Sequence, residues 1–172
     1  MKGYYETKDY DVAIKYANKV LSKDKLDVGL EYDAKIIIAR SSFLTNDLQT
    51  AEAFYKEVES NETGELKAEA LYYSAFFKNK QQEYLESNKV VQNLIADYSA
   101  YKYWGVKSYV VMAKNYYGLK DVYQATYVLE NVIKNFKQFD DIIKEAQSEL
   151  DKIKEIEAKT NNSITPKKET GN

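Results

Sequence analysis

The chain has 172 residues, a formal net charge of −2 and a hydrophobic content of 44%, which is enough for one compact domain or a short repeat array. It contains no cysteine and no histidine, which excludes disulfides, thiolate metal sites and every catalytic arrangement that needs either residue. Carboxylates, lysines, tyrosines and hydroxyls remain for chemistry, so the composition argues against an enzyme, and we expect no metal or other cofactor.

Helix-compatible patterns extend over almost the whole chain. The only proline is Pro166, so residues 1–165 lack the strongest helix breaker. Apolar residues recur every three or four positions, and no period-two alternation is sustained, so strands are not expected. In chain order, the periodicity predicts helices at roughly 10–22, 30–44, 48–59, 65–78, 83–97, 103–117, 122–135 and 140–158. The intervening turns are predicted at Gly29, Asn46-Asp47, Gly64, Asn79-Lys80 and Gly118.

Small residues recur at a nearly constant period. The first set is Ala13, Ala51, Ser87 and Ala125, separated by 38, 36 and 38 residues. The second set is Ala39, Ala75 and Ala113, each 12 residues before a member of the first set. Small side chains let two antiparallel helices approach closely and pack their ridges into grooves. The period fits two helices and two turns, so the sequence predicts helix pairs that stack along the chain.

These positions resemble the signature of the tetratricopeptide repeat family. Around AKNYYGLKDVYQATYVLENVI, which starts at Ala113, the signature positions hold Tyr109, Ala113, Tyr116, Ala125, Leu129 and Val132. In AEALYYSAFF, which starts at Ala68, the matching residues are Ala68, Leu71 and Ala75. The chain departs from the family at Lys78, where an aromatic is usual, at Ser87, where alanine is usual, and in lacking the proline between repeats. The period also exceeds the family's common value of about 34 residues.

This resemblance implies an all-α, right-handed solenoid of antiparallel helix pairs. The long connectors and the segment from Ile95 to Ile133 are also similar to arrays in Gram-negative envelope proteins. That similarity implies a periplasmic or outer-membrane-associated location, with the cytoplasm as the alternative. No run approaches the roughly 20 apolar residues of a membrane span, so no transmembrane segment is expected.

The array is predicted over 1–138. Its units are an incomplete first repeat at 1–24 and repeats at 25–61, 62–98 and 99–138. Only the last turn of a partner helix, Gly3-Tyr4-Tyr5, precedes the first signature helix. We therefore expect the chain to be the C-terminal part of a longer array; the alternative is an open N-terminal edge that docks another chain, including a second copy.

The C-terminal end of the array is predicted to carry a capping helix at 139–159. Apolar residues from Ile142 to Ile156 form one stripe, while charged residues such as Glu145 and Glu149 are expected on the opposite, solvent-exposed face. A partner helix in a coiled coil is the alternative for this stripe. Residues 160–172 lack apolar periodicity and are predicted to be a disordered tail.

The resemblance also implies a concave groove, lined by the first helix of each pair, in which such arrays bind peptides or partner helices. By register, the candidate partner-binding residues are Arg40, Phe43, Glu69, Tyr72, Phe76, Lys107, Lys114 and Tyr117. Aromatic rings can anchor a ligand, while Lys and Arg orient its carboxylates. The competing interpretation is that the aromatics only pack against neighbouring helices. The Lys and Asn pattern that clamps chaperone tails in one subclass of the family is not reproduced.

The function expected from these observations is a non-catalytic protein–protein interaction scaffold that binds a peptide or partner protein. The alternative is a helical module that binds single-stranded nucleic acid or polysaccharide. The aromatic segment YSAYKYWGVKSY, with Lys102 and Lys107, favours nucleic acid, whereas the negative net charge argues against it. A carboxylate-based enzyme using pairs such as Glu52/Glu57 or Asp140/Asp141 is less favoured, because no recognisable apolar pocket surrounds them.

Overall fold

The computed structural model describes residues 1–164, and the described chain is all-helical, without a strand. Its helices are α1 (Lys2–Glu6), α2 (Tyr10–Leu21), α3 (Val28–Leu44), α4 (Leu48–Asn61), α5 (Gly64–Lys80), α6 (Tyr84–Asp97), α7 (Lys102–Gly118), α8 (Val122–Asn135) and α9 (Asp140–Ile164). The predicted all-α class is confirmed.

The helix boundaries follow the apolar periodicity closely. Helices α2 to α8 begin and end within two residues of the predicted positions, and α1 corresponds to the predicted last turn of a partner helix. The exception is α9, which continues to Ile164 instead of ending near 159. Polar residues can extend a helix until a breaker intervenes, and Pro166 is the first one. The first five residues of the predicted disordered tail are therefore helical, and its remainder, 165–172, lies outside the described residues.

The helices pack consecutively, each against the next one along the chain, and α7 also contacts both α5 and α9. The apolar core is correspondingly divided into four successive clusters, from one around α2 and α3 to one shared by α7, α8 and α9. A core distributed in this way makes the molecule a repeat-like structure in which each helix depends mainly on its neighbours.

The periodic small residues are all buried between helices. All seven are 0% exposed: Ala13, Ala39, Ala51, Ala75, Ser87, Ala113 and Ala125. Where serine replaces alanine, the Ser87 hydroxyl donates a 2.7 Å hydrogen bond to the carbonyl oxygen of Ala75. The two sets of small residues therefore meet directly between α5 and α6, as their spacing predicts.

A buried polar network links α5, α6 and α7. The Asn115 amide donates to Ser87 Oγ at 2.7 Å and to Asn88 Oδ1 at 2.8 Å. The Asn79 amide in turn donates to Asn115 Oδ1 at 2.7 Å. Asn115 is 0% exposed, so these bonds replace those that water would make.

The odd-numbered helices α1, α3, α5 and α7 end in the same turn. A residue with a positive φ follows each helix: Lys8 (63°), Asn46 (64°), Gln82 (64°) and Lys120 (68°). In each turn its N–H bonds to the carbonyl three residues back, and the next N–H bonds to the carbonyl five residues before it. This is the Schellman pattern of helix ends. The four turns are 38, 36 and 38 residues apart, which is the period of the small residues.

All three predicted turn glycines, and the predicted turn at Asn79-Lys80, lie within the bounds of helices, so the actual turns are displaced by a few residues. Gly29 is in the first turn of α3, and Gly118 is the last residue of α7. A Cβ atom at Gly118 would overlap the ring of Tyr84 on α6, so glycine is required there for close approach. Gly64 begins α5 with a φ of +63°, a conformation that glycine adopts without strain.

The close helix contacts can be tested by enlarging one small residue. Ala51→Leu should lower the free energy of unfolding by about 1–3 kcal/mol, because the contact between α3 and α4 becomes overpacked. Ala53→Leu makes the same change two residues later, at an exposed position of α4, and should stay within about 0.5 kcal/mol of the parent. Urea unfolding followed by circular dichroism measures both values, and equal effects would contradict the close approach at Ala51.

Two substitutions at Lys120 should change the stability in opposite directions, because its backbone is left-handed. A left-handed residue other than glycine costs roughly 1–2 kcal/mol, and the extra unfolded-state entropy of glycine offsets roughly 0.5–1 kcal/mol of the relief. Lys120→Gly should therefore raise the free energy of unfolding by up to about 1.5 kcal/mol. Lys120→Val should lower it, because β-branched residues are true outliers at positive φ. A destabilising glycine in thermal unfolding would show that the turn differs in solution.

Candidate partner-binding surface

Six of the eight candidate residues meet in pairs across successive odd-numbered helices. The pairs are Arg40 with Glu69, Phe43 with Phe76, and Tyr72 with Lys107. The first two pairs join α3 to α5, and the third joins α5 to α7. The remaining two, Lys114 and Tyr117, contact α9. We call the surface formed by the eight residues and their immediate neighbours the odd-helix surface.

The candidates differ in their accessibility. Glu69 and Tyr72 are only 2% and 6% exposed, so a partner cannot use them as outer anchors. The other six are partly exposed. Packing against neighbouring helices therefore accounts for Tyr72, while the surface available to a partner consists of half-buried aromatic and basic side chains.

A bidentate ion pair connects α3 and α5. Arg40 Nε donates to Glu69 Oε1 at 2.7 Å, and Arg40 Nη2 donates to Glu69 Oε2 at 2.5 Å. The Tyr55 hydroxyl donates to the same Oε1 at 3.1 Å. Hydrogen bonding to Glu69 raises the pKa of Arg40, so the guanidinium group stays charged. The buried carboxylate is thus fully partnered, as a charge in that position requires.

Aromatic rings fill the space beside this ion pair. Tyr55 and Tyr73 stack with ring centroids 4.0 Å apart, and Phe43 meets Tyr73 edge-on at 4.8 Å and Phe76 at 5.4 Å. The two Phe43 distances lie in the range of favourable aromatic contacts, and the Tyr55–Tyr73 pair is packed more closely. Burial raises the pKa of Tyr73 to about 12, and burial raises the pKa of Tyr55 as well, with a further contribution from the Glu69 carboxylate.

Lys107 lies in a box of three aromatic rings. Its Nζ is 5.3 Å from the ring centroid of Tyr72, 5.3 Å from that of Tyr103 and 5.8 Å from that of Trp104. Cation–π attraction at such distances stabilises an ammonium group that has left bulk water. The Tyr103 hydroxyl donates to Asp141 Oδ2 on α9 at 2.7 Å. Lys107 is therefore already engaged within the protein.

Helix α9 supplies acidic partners to α7. Lys114 Nζ lies 2.9 Å from Glu145 Oε1 and 3.9 Å from Glu149 Oε2, and the Tyr117 hydroxyl donates to Glu157 Oε1 at 3.2 Å. The prediction that Glu145 and Glu149 lie on a purely solvated face is therefore wrong. Their spacing of four residues places them together on one side of the helix, beside the apolar stripe and within reach of α7.

A cavity of about 270 Å³ opens on the odd-helix surface. Its lining residues are Tyr5 of α1, Arg40 and Leu44 of α3, Glu69 and Tyr73 of α5, and Trp104 of α7. Leu44 is 52% exposed at the rim. The Trp104 indole Nε1 is buried and has no hydrogen-bond partner among the residues that the structure describes. We call this cavity the seam pocket.

Of the six residues that line the seam pocket, only Arg40 and Glu69 were among the candidates predicted from the sequence. Leu44 and Tyr73 lie four residues after these two, so helical spacing alone could have found them. Tyr5 could not be found in this way, because the contact between α1 and the later helices depends on the three-dimensional packing. Trp104 was considered only as a stacking platform, whereas its ring on α7 packs against the ring of Tyr72 on α5 and beside that of Tyr103.

Three of the four carboxylates considered for acid–base chemistry have other partners. Glu52 accepts a 2.9 Å hydrogen bond from Gln81, Glu57 lies 3.0 Å from Lys35, and Asp141 accepts from Tyr103. Within 1–164, no group of three or more acidic residues could hold a metal ion. No helix in that range is both long and apolar enough to cross a membrane.

Comparison of the chain with protein-family models, with curated proteins and with solved structures found no match.

The buried tyrosines make the fold sensitive to alkali. The pKa of a tyrosine in an unfolded chain is about 10, while the folded protein holds the pKa of Tyr73 at about 12 and also raises those of Tyr55 and Tyr72. Above about pH 10 the unfolded chain loses protons that the folded chain keeps, so the free energy of unfolding should fall as the pH rises to about 12. Below pH 10 these groups should contribute no pH dependence.

Tyrosinate absorbance and circular dichroism, recorded over the same alkaline titration, measure this effect. Part of the tyrosinate signal should appear only as the helices are lost. Tyr123→Phe, at a position that is 72% exposed, should leave the alkaline transition unchanged. Full ionisation of all 17 tyrosines before any loss of helix would contradict the burial of this cluster.

Proposed function

We propose that the chain is a non-catalytic interaction module that binds a segment of a partner protein along the odd-helix surface. The observation that carries this proposal is the meeting of residues from α3, α5 and α7 on one surface that also contains a cavity. Surfaces built by several helices of a rigid repeat structure are suited to extended partners, because each helix supplies one part of the contact.

The proposal includes a tetratricopeptide-like solenoid arrangement. Four equivalent helix ends at intervals of 36–38 residues, and small residues buried with the same period, support it. In such an arrangement the odd-numbered helices line the concave side. Right-handedness and an envelope location remain expectations that come from the family resemblance.

The charge distribution indicates how a partner would be held. Arg40 is paired with Glu69, Lys114 is close to two glutamates, and Lys107 lies in its aromatic box. Internal partners therefore already compensate the basic groups of the odd-helix surface. The half-buried rings, such as Phe43 and Phe76, then supply most of the available binding energy, and affinity should depend weakly on salt.

Selection of random peptides displayed on phage against the immobilised chain tests this function. Peptides that bind the parent should lose at least about tenfold in affinity for Phe76→Ala, which removes a partly exposed ring of the odd-helix surface. Leu85→Ala, at a position of α6 that is 63% exposed, is the control and should not change affinity. Tyr72→Ala is unsuitable because it would open a cavity in the core. Circular dichroism checks that each variant is folded.

Salt dependence separates this function from nucleic-acid binding. Peptide affinity should change less than about threefold between about 50 and 200 mM salt, whereas a protein making several phosphate contacts loses orders of magnitude over that interval. Enriched peptides that bind Phe76→Ala and Lys114→Ala as tightly as the parent would contradict the proposed surface. Steeply salt-sensitive binding of a single-stranded oligonucleotide would favour the alternative.

A further inference from the structure

Oxidisable aromatic rings form a continuous chain between α4, α5 and α7. The ring of Trp104 has its centroid 5.1 Å from that of Tyr103 on the same helix and 5.5 Å from that of Tyr72 on α5. It is also 6.2 Å from Tyr73, which stacks on Tyr55 of α4 at 4.0 Å. Rings at these separations exchange electrons readily, so an electron removed from one of them can be replaced from its neighbour.

The chain has few other groups that a one-electron oxidant attacks. It contains no cysteine and only two methionines, whereas it has 17 tyrosines and one tryptophan. Cysteine and methionine are the side chains that proteins usually lose first to oxidation. Without thiols, oxidising equivalents that reach this protein fall mainly on its aromatic rings.

We propose that these rings form a one-electron relay whose exit is Tyr103. In the exit step, Tyr103 gives one electron to the oxidised Trp104 ring, and its phenolic proton moves to the carboxylate of Asp141. The relay carries oxidising equivalents from the buried rings to the protein surface. This activity goes beyond the proposed binding function and does not depend on it.

The exit step balances in electrons and protons. A one-electron oxidant first takes an electron from Trp104 and leaves the indole radical cation. Tyr103 returns that electron while its O–H bond breaks and a new O–H bond forms at Asp141 Oδ2. The products are neutral tryptophan, a neutral tyrosyl radical and a carboxylic acid. Asp141 is exposed and loses its proton to water, and a soluble reductant such as ascorbate supplies the electron and proton that regenerate Tyr103.

The surroundings of the indole nitrogen favour this transfer. Trp104 Nε1 is buried and has no hydrogen-bond partner in the described part of the chain. An indole radical cation usually decays by losing the N–H proton to water or to a base, and here the nitrogen is closed to water and has no acceptor beside it. The radical cation therefore keeps its oxidising power until a neighbouring ring supplies an electron.

Tyr103 is placed to lose its proton. Its hydroxyl accepts from Lys107 Nζ at 3.3 Å and donates to Asp141 Oδ2 at 2.7 Å, so the hydrogen points at the carboxylate. Burial and the hydrogen bond to Asp141 raise the pKa of Tyr103, so the phenol is protonated at neutral pH and its oxidation requires a proton acceptor. Removing an electron makes the hydroxyl strongly acidic, and the proton then crosses an existing hydrogen bond.

The opposite end of the chain of rings is a poorer exit. The Tyr55 hydroxyl donates to Glu69 Oε1 at 3.1 Å, but Arg40 already donates two hydrogen bonds to this carboxylate. A carboxylate held by a guanidinium group has a low affinity for a further proton. Tyr55 is also 1% exposed, whereas Tyr103 is partly exposed. Radical and proton therefore reach solvent at the Tyr103 end.

Laser flash photolysis of the full chain tests the relay. Photogenerated tris(bipyridine)ruthenium(III) is the one-electron oxidant, and transient absorption distinguishes tryptophan radicals from tyrosyl radicals. Trp104 is the only tryptophan, so every tryptophan radical belongs to it. In the parent chain this radical should decay as a tyrosyl radical appears, and the decay should be slower in heavy water because a proton moves in the same step.

Two conservative substitutions identify the electron donor and its base. Tyr103→Phe removes the phenol and Asp141→Asn removes the base, and each should prolong the tryptophan radical at least about tenfold. Asp140→Asn makes the same change at the neighbouring exposed carboxylate and should leave the decay as in the parent. Circular dichroism checks that each variant is folded.

Four results would overturn the inference. The tryptophan radical could decay without a tyrosyl radical appearing, or its decay could be unchanged in Tyr103→Phe. Asp141→Asn could behave like Asp140→Asn, or the parent could react equally fast in heavy and ordinary water. Slower decay in both Tyr103→Phe and Asp141→Asn, together with the effect of heavy water, supports the exit at Tyr103.

Discussion

Close approach of neighbouring helices is the constraint on which the rest of the structure depends. A side chain no larger than a methyl or hydroxymethyl group at each closest contact allows the backbones to meet, and every such position of the two periodic sets is fully buried. Larger residues in the next layer then fill the clusters between helices. Because the contacts repeat at nearly equal intervals, the same packing is propagated from one helix pair to the next.

The packing of successive helices produces the odd-helix surface, but the odd-numbered helices are not all packed equally closely there. Where α5 and α7 pack directly, their side chains enclose Lys107 in an aromatic box. Where α3 and α5 stand apart, a buried ion pair and stacked rings bridge the gap and leave a cavity. One repeated architecture thus produces two different local environments, because the residues at equivalent positions differ. Under the proposed function, the balanced charges of this surface make aromatic contact, rather than charge attraction, the main source of affinity for a partner.

Much of this organisation could be read from the amino-acid sequence. Apolar periodicity was sufficient for helices α2 to α8, and the spacing of small residues identified which positions are buried. The C-terminal end of α9 was missed because polar residues show no periodic stripe even when they are helical. Register also identified residues of the odd-helix surface, but not their partners: the burial of Glu69 and the approach of Tyr5 depend on distances between helices that no local pattern encodes. Of the four left-handed turn residues only Asn46 carried a sequence signal, because the other three are Lys or Gln, which are not favoured in that conformation.

The buried amide network makes the contact between α7 and the preceding helix pair, α5 and α6, chemically specific. Apolar faces of similar shape could be exchanged between units at modest cost, but Asn115 is satisfied only by the serine and the two asparagines that the preceding unit presents. Moving or duplicating that helix pair would leave buried amide groups without hydrogen-bond partners, and each unpaired group would lower the free energy of unfolding by about 1–3 kcal/mol. The helix pairs are therefore not interchangeable in this fold: evolution or engineering that adds a helix pair next to α7 has to replace such polar contacts together, on both sides of the junction.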